Sequence, residues 1–338
     1  MASGRVEPPQ VVFGSTRRLA PVRSDGTWNA SSSFTSLCLA ERTCTLVATS
    51  IMVATFVGTL GAWFIHMLIW VFGRRRPSRE IAWLMGPMGQ RHIGDRPYEE
   101  TAQAEGLTLE RNAEQGGLIP SFADLASSDF DPDRVDPRIR SFYENTAGYR
   151  LDAWATTYFP ARVALWLLVK TISRRVDQLN FPLEGLETAR GMTSEIVLLR
   201  RGDGTIKYTG WFRKLRTTAR AIYTGFYMTE RIPHPDTRCV KVVFPMPNGN
   251  ATVVLRPEND VAGGLRLSSN GTGYGDVGFY RMTRLDAEHV RVWTIRTLHE
   301  TFRLYIDDEG VVRCDHDVRF LGFRVLSLHY RISPAATV

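Results

Sequence analysis

The chain has 338 residues, 43% of them hydrophobic and 23% charged, which is enough apolar surface for a packed core and excludes wholesale disorder. Cys38, Cys44, Cys239 and Cys314 are the only cysteines and form no Cys-x-x-Cys pair, so neither a disulfide scaffold nor a structural zinc site is encoded. Basic residues number 42 against 35 acidic, and Lys170, Lys207, Lys214 and Lys241 are the only lysines; the bias to Arg points to a GC-rich bacterial genome.

From Thr45 to Phe72 there are 28 residues without Lys, Arg, Asp or Glu. A helix needs about 20 apolar residues to cross the ~30 Å hydrocarbon layer, so the run predicts one transmembrane helix over 45–72. It is too long and starts too late for a signal peptide. Within 20 residues of its ends, Arg42 stands alone on the N-terminal side, whereas Arg74, Arg75, Arg76, Arg79 and Arg91 follow it. That asymmetry predicts a cell-membrane protein with residues 1–44 outside as a disordered tail and the C-terminal domain in the cytoplasm. Ala54, Gly58 and Ala62 make a small-residue stripe on which two such helices can pair into a homodimer.

Residues 73–136 open with the basic juxtamembrane stretch. Between Pro97 and Pro137 they then carry ten acids and two arginines, broken by Gly116-Gly117 and Asp131-Pro132-Asp133. This composition predicts a solvated acidic linker with a short helix near Thr101–Ala113. Residues 137–181 form a helical prelude. Ile139, Phe142 and Tyr143 share one helix face, and Pro160 starts a second helix whose apolar Val163–Val169 run is expected to plug one end of a sheet. An in-plane membrane helix is the alternative for that run.

Over 182–333 the period shortens toward two, with turn residues every 8 to 15 positions. About ten strands are expected: Glu195–Arg200, Thr205–Leu215, Ala219–Thr229, Cys239–Met246, Asn250–Pro257, Leu265–Ser269, Phe279–Leu285, Val290–Ile306 (one bent strand or two), Val311–Phe320 and Val325–Ile332. Asn248-Gly249 is a strong hairpin signal. The fold class is therefore a single N-terminal transmembrane helix plus an α+β cytoplasmic domain. In that domain two helices precede a mostly antiparallel β meander, closed into a barrel or folded into a sandwich to hide its edges.

Cys314-Asp315-His316-Asp317 is the densest titratable cluster. On a strand the two acids face away from His316, so the three cannot ligate one metal, and no metal or cofactor is expected. His316 reads either as a core histidine or as a cavity acid/base, with Tyr208 and Tyr280 orienting a substrate. The Gly271–Gly278 loop opens no helix and reads as a turn or a lip over a cavity, not a phosphate cradle. From Gly204 to Thr229 there is no acid, and Lys207, Arg213, Lys214, Arg216 and Arg220 gather around Trp211. These residues, with inward Phe302 and Leu304, are the candidates for binding a ligand or a lipid surface. The bilayer is the expected partner rather than nucleic acid.

The leading expectation is a membrane-anchored β domain binding an apolar or amphipathic, lipid-like molecule. An enzyme acting on such a molecule through His316 is the first alternative, and a filled-core interaction module the second.

Overall fold

The computed structural model describes residues 63, 65–90, 92–173, 176–180, 191–216, 220–234 and 237–335. The span expected at 45–72 lies outside them apart from its end, where residues 65–72 are helical. Ala54, Gly58, Ala62, Cys38 and Cys44 also lie outside. Among the described residues no helix is long and apolar enough to cross a membrane.

Antiparallel sheet dominates, as the alternation predicts. The strands are β1 (Arg74–Pro77), β2 (Thr108–Glu110), β3 (Tyr149–Thr157), β4 (Met192–Arg200), β5 (Ile206–Leu215), β6 (Ala221–Ile232), β7 (Thr237–Met246) and β8 (Gly249–Asn259). They continue with β9 (Leu265–Ser268), β10 (Gly278–Arg284), β11 (His289–Ile295), β12 (Leu298–Ile306), β13 (Val312–Phe320) and β14 (Phe323–Pro334). Helices are few: α1 (Arg96–Glu105), α2 (Pro137–Glu144) and α3 (Ala161–Leu168).

The strand order is β2-β4-β5-β6-β7-β8-β9-β12-β13-β14-β3, with β10, β11 and β1 branching from β8. The long β8 is the pivot. Its first half pairs with β7 and β10, and its end, Arg256–Asn259, pairs with β9. The order thus departs from a plain meander. The predicted Val290–Ile306 element is two strands, β11 and β12, which run in the same sense in different halves of the sheet. No ladder among the described residues joins β2 to β3, so the ladders form an open path. The two halves meet over one core. Ile196, Leu198, Trp211, Val242 and Val253 come from the β2–β8 half, and Leu267, Leu304, Cys314 and Ile332 from the β9–β3 half.

The β7–β8 hairpin falls where Asn248-Gly249 predicts it, with Asn248 at φ 57° and Met246 paired with Gly249. Glycine is required at 249 because a Cβ there would stand 2.0 Å from the Met282 carbonyl oxygen of the neighbouring β10.

The acidic segment is not a solvated linker. Tyr98 of α1 is fully buried against Phe212 and Phe226 on the outer face of β5 and β6. Leu118, Ile119, Phe122, Leu125, Phe130, Val135 and Ile139 enter the core between the two halves. Each such side chain contributes about 1.5–3 kcal/mol by leaving water, so this segment stabilises the domain. Its acids stay at the rim. Asp131 and Asp136 accept from the Asp133 and Arg138 amides, and Arg111 gathers Asp95, Glu99 and Glu195. Ile81 and Leu84, after the juxtamembrane arginines, are likewise buried, against Tyr280 and Met282.

The helical prelude is corrected in two places. Residues Tyr149–Thr157 are strand β3, paired along its length with β14. The second helix, α3, plugs nothing: none of its residues is buried, and Phe159 and Val163 are 86% and 54% exposed. The end of the core carrying Ile306, Val312 and Ile332 is filled instead by residues 113–136 of the segment predicted to be a linker, together with α2.

Candidate functional site

Alternation on β5 sends successive side chains to opposite faces. Tyr208 and Phe212 join the outer core under α1, whereas Trp211 and Arg213 face the space between the two halves. The same rule on β6 sends Tyr223 and Tyr227 inward, where both rings lie edge-on to Trp211. From the opposite half come Glu300 and Phe302 of β12, His316 of β13 and Tyr330 of β14.

His316 and Glu300 form a pair, with the imidazole Nε2 3.0 Å from the carboxylate and both side chains about nine-tenths buried. The Phe302 ring stacks on the imidazole at 3.8 Å and 17°. Glu300 is fixed by its own backbone, whose amide donates to Ser269 Oγ and whose carbonyl accepts from the Ser269 amide. With Nε2–H donating to the carboxylate, His316 Nδ1 is left buried without a partner among the described residues. It is available there as a base, or as a donor when the ring is protonated.

Arg213 is the second unusual group. Only 3% of the residue is exposed. Its guanidinium lies over the rings of Trp211 and Tyr330, at 5.2 and 5.8 Å. Its guanidinium interacts with the Tyr223 hydroxyl and its Nη2 reaches Met192 Sδ at 3.6 Å, while Nε is buried and unpartnered among the described residues. No carboxylate among the described residues forms an ion pair with it. The other two buried cations are fully engaged. Lys241 donates to Glu230 and to the carbonyls of Trp83 and Met85. Arg281 donates to the carbonyls of Asn250, Met282 and Pro247, with burial pulling its guanidinium down to about 10.

The tyrosines register the same interior. Burial raises the hydroxyls of Tyr223, Tyr227 and Tyr330. The charge of Glu300 adds to the rise at Tyr227 and Tyr330, and that of Arg213 opposes it at Tyr223 and Tyr330. Yet Tyr223, Tyr227, Tyr330, Phe244 and Phe302 are only half-buried although they point inward.

The other predicted residues lie elsewhere. Tyr208 and Tyr280 do not meet His316. Tyr208 reaches Glu105 on the outer face at 3.4 Å, and Tyr280 donates to the carbonyls of Gly273 and Asp276 in a separate core. They cannot orient a substrate at His316. Lys207 is a bulge residue paired with Glu105 at 2.6 Å. Lys214 lies over the Phe212 ring, while Arg216 and Arg220 are exposed. The basic cluster of the sequence is therefore split, and only Trp211 and Arg213 reach the interior, where Phe302 and Leu304 also lie. The Gly271–Gly278 loop is a closed turn whose amides at Thr272 and Val277 are taken by Asp276. It offers no anion cradle. Glu300 was missed, although it shares the alternation of Phe302 and Leu304 and is the acid on that inward face. Among the described residues no group of His, Cys, Asp and Glu is placed to hold a metal ion.

Both described thiols are inert by the same burial. Desolvation pushes Cys239 up to about 12, and Cys314 is also raised, with Asp315 adding to it. From the usual ~8.5 that shift removes about three orders of magnitude of thiolate at neutral pH. Iodoacetamide is therefore expected to leave Cys239 and Cys314 unmodified in the native protein and to label both once denaturant is added, as read by peptide mass mapping. Rapid native labelling of either would contradict this packing.

Comparison with known proteins gives one informative relative. The chain is similar to a membrane protein. It is 28% identical over 253 residues to the uncharacterized membrane protein YndJ of Bacillus subtilis (strain 168). The match covers 72% of this chain and 42% of YndJ, so the chain spans less than half the length of that relative. No family model matches, and no solved structure matches.

Proposed function

We propose that this is a membrane-anchored protein whose β domain holds an amphipathic anion between its two halves. The observation that carries the reading is Arg213, a buried guanidinium that forms no ion pair among the described residues and faces half-buried aromatic rings. An arginine stays charged at any physiological pH, and a buried charge is costly until it is paired. An apolar chain lying along Tyr223, Tyr227, Phe244 and Phe302, with its acidic head at Arg213, meets both needs. The charge-free run at 45–72 and the similarity to YndJ support the membrane anchor. The arginines after that run favour a cytoplasmic β domain.

The test is native mass spectrometry of the full chain released from detergent, with extraction and identification of what it carries. An anionic amphiphile retained by the wild type and lost from Arg213→Met is the expected result. A bare mass, together with no displacement of an anionic fluorescent fatty acid, would sink the reading. The unpartnered Nδ1 of His316 favours a second reading, catalysis on the same molecule. If the bound species is recovered chemically altered from the wild type and unaltered from His316→Asn, the protein is an enzyme.

A further inference from the structure

The apolar surface that the fold fails to cover lies at one end of the sheet. Helix α3 begins just after β3, and β3 ends against β14, where the Tyr158 amide donates to the Val325 carbonyl. The β13–β14 hairpin turns there at Phe320–Phe323. Phe159, Val163, Trp166, Leu168, Leu321 and Phe323 are all exposed, the last two by 61% and 77%. Single exposed apolar residues are ordinary, but six of them, on a helix with no buried residue and on the hairpin tip next to its start, are of the kind that marks an interaction surface.

Two observations select its occupant. The first is continuity with the apolar run. Phe72, at the end of that run, stacks on Trp293 at 6.0 Å, and both Trp70 and Phe72 are exposed. Four residues after Trp293, the Thr297 carbonyl accepts the Leu321 amide at the hairpin tip. The run therefore leaves the domain beside the patch. The second is charge. Residues 158–176 contain Arg162, Lys170, Arg174 and Arg175 and no acid, and after Asp317 the chain has Arg319, Arg324 and Arg331 and no acid. Apolar residues flanked by cations match an anionic bilayer surface, with rings and aliphatic chains among the headgroups and arginines at the phosphates.

We infer that α3 and the β13–β14 tip dip into the anionic lipid surface beside the anchor. Register adds a consequence. This end of the sheet, marked by Leu298, Phe320 and Thr157, is opposite the end filled by residues 113–143, and His316 stands four residues from Phe320. This end of the interior thus faces the lipid. The surface itself does not depend on whether the interior holds a ligand.

The full chain, with Cys38→Ser and Cys44→Ser, is reconstituted in phosphatidylcholine–phosphatidylglycerol vesicles. Single cysteines carrying a fluorophore are placed at Val163, Leu321, Asp308 and Val57. Asp308 lies in the exposed turn at the plugged end, and Val57 lies in the apolar run and reads the anchor separately. With a nitroxide on the lipid chains near the headgroups, quenching at Val163 and Leu321 is expected to exceed that at Asp308 by about fivefold. Quenching at those two sites no greater than at Asp308, with Val57 quenched, overturns the proposal and leaves the anchor standing. Quenching at Val163 and Leu321 without Val57 supports the surface and removes the anchor. Energy transfer between labelled chains without lipid quenching assigns the patch to a second copy and overturns the lipid reading. Val163, Leu321 and Asp308 are exposed, so their substitutions leave the fold intact.

Discussion

Replacing Tyr98 by Ala is expected to destabilise the β domain by about 3–5 kcal/mol, the usual cost of truncating a buried aromatic to Ala. For a domain of this size that lowers Tm by roughly 10 °C. The ring is fully buried, packs on Phe212 and Phe226, and directs its hydroxyl at the Gly225 carbonyl. It also explains a glycine: a Cβ at Gly210 would come within 2.4 Å of the Tyr98 ring. Gly210→Ala alone should therefore destabilise by forcing α1 away. In the double variant the clash is gone, so the two effects should sum to less than their parts. Thermal unfolding of the three variants reads this directly. A Tyr98→Ala change within about 0.5 kcal/mol of wild type, the range for an ordinary surface site, would restore the acidic segment to the status of a linker.

The second large effect has the opposite sign. Removing half of a buried ion pair usually costs stability, but Arg213 has no acidic partner among the described residues to strand. Arg213→Met keeps the apolar stem and the contact with Trp211 and Tyr330 while deleting a desolvated charge. The ligand-free protein is expected to become about 1–3 kcal/mol more stable, as when a buried charge is replaced by a packed apolar side chain. Retention of an anionic amphiphile should be lost in the same variant. Stability measured by urea unfolding after lipid extraction, beside the extracted lipid profile, separates the outcomes. Loss of stability in Arg213→Met, recovered in Arg213→Lys, would make the guanidinium a structural element and remove the ground for a bound anion. A stability gain with an unchanged lipid profile would place the ligand elsewhere.

The candidate site was only half legible. His316, Trp211, Arg213, Phe302 and Leu304 were singled out because inward positions recur every second residue and because titratable or basic groups cluster. Tyr208 and Tyr280 satisfied the same criteria and proved to lie in two other cores. Alternation says which residues share a face but not what each face meets, and here both faces of β5 are buried. Glu300 went unnoticed because its partner His316 is on the next strand, and cross-strand register is set by pairing rather than by spacing.

The sequence by itself determined the local elements. The charge-free run at 45–72, the strands and their turns follow from periodicity and turn chemistry, which act over a few residues and need no distant partner. Three things were decided only by the tertiary structure. Residues 113–143 fill one end of the core because their apolar side chains fit there, though ten acids between Pro97 and Pro137 make the region read as solvated. Helix α3 has no buried residue because β3, not a helix, follows α2 and carries the chain to the opposite end of the sheet. Arg213 is buried without an ion pair among the described residues because β5 is sandwiched between α1 and the second half of the sheet, which turns a basic edge into one buried charge and several solvated ones. Each of these depends on which surfaces meet across long stretches of chain, and local composition carries no record of that.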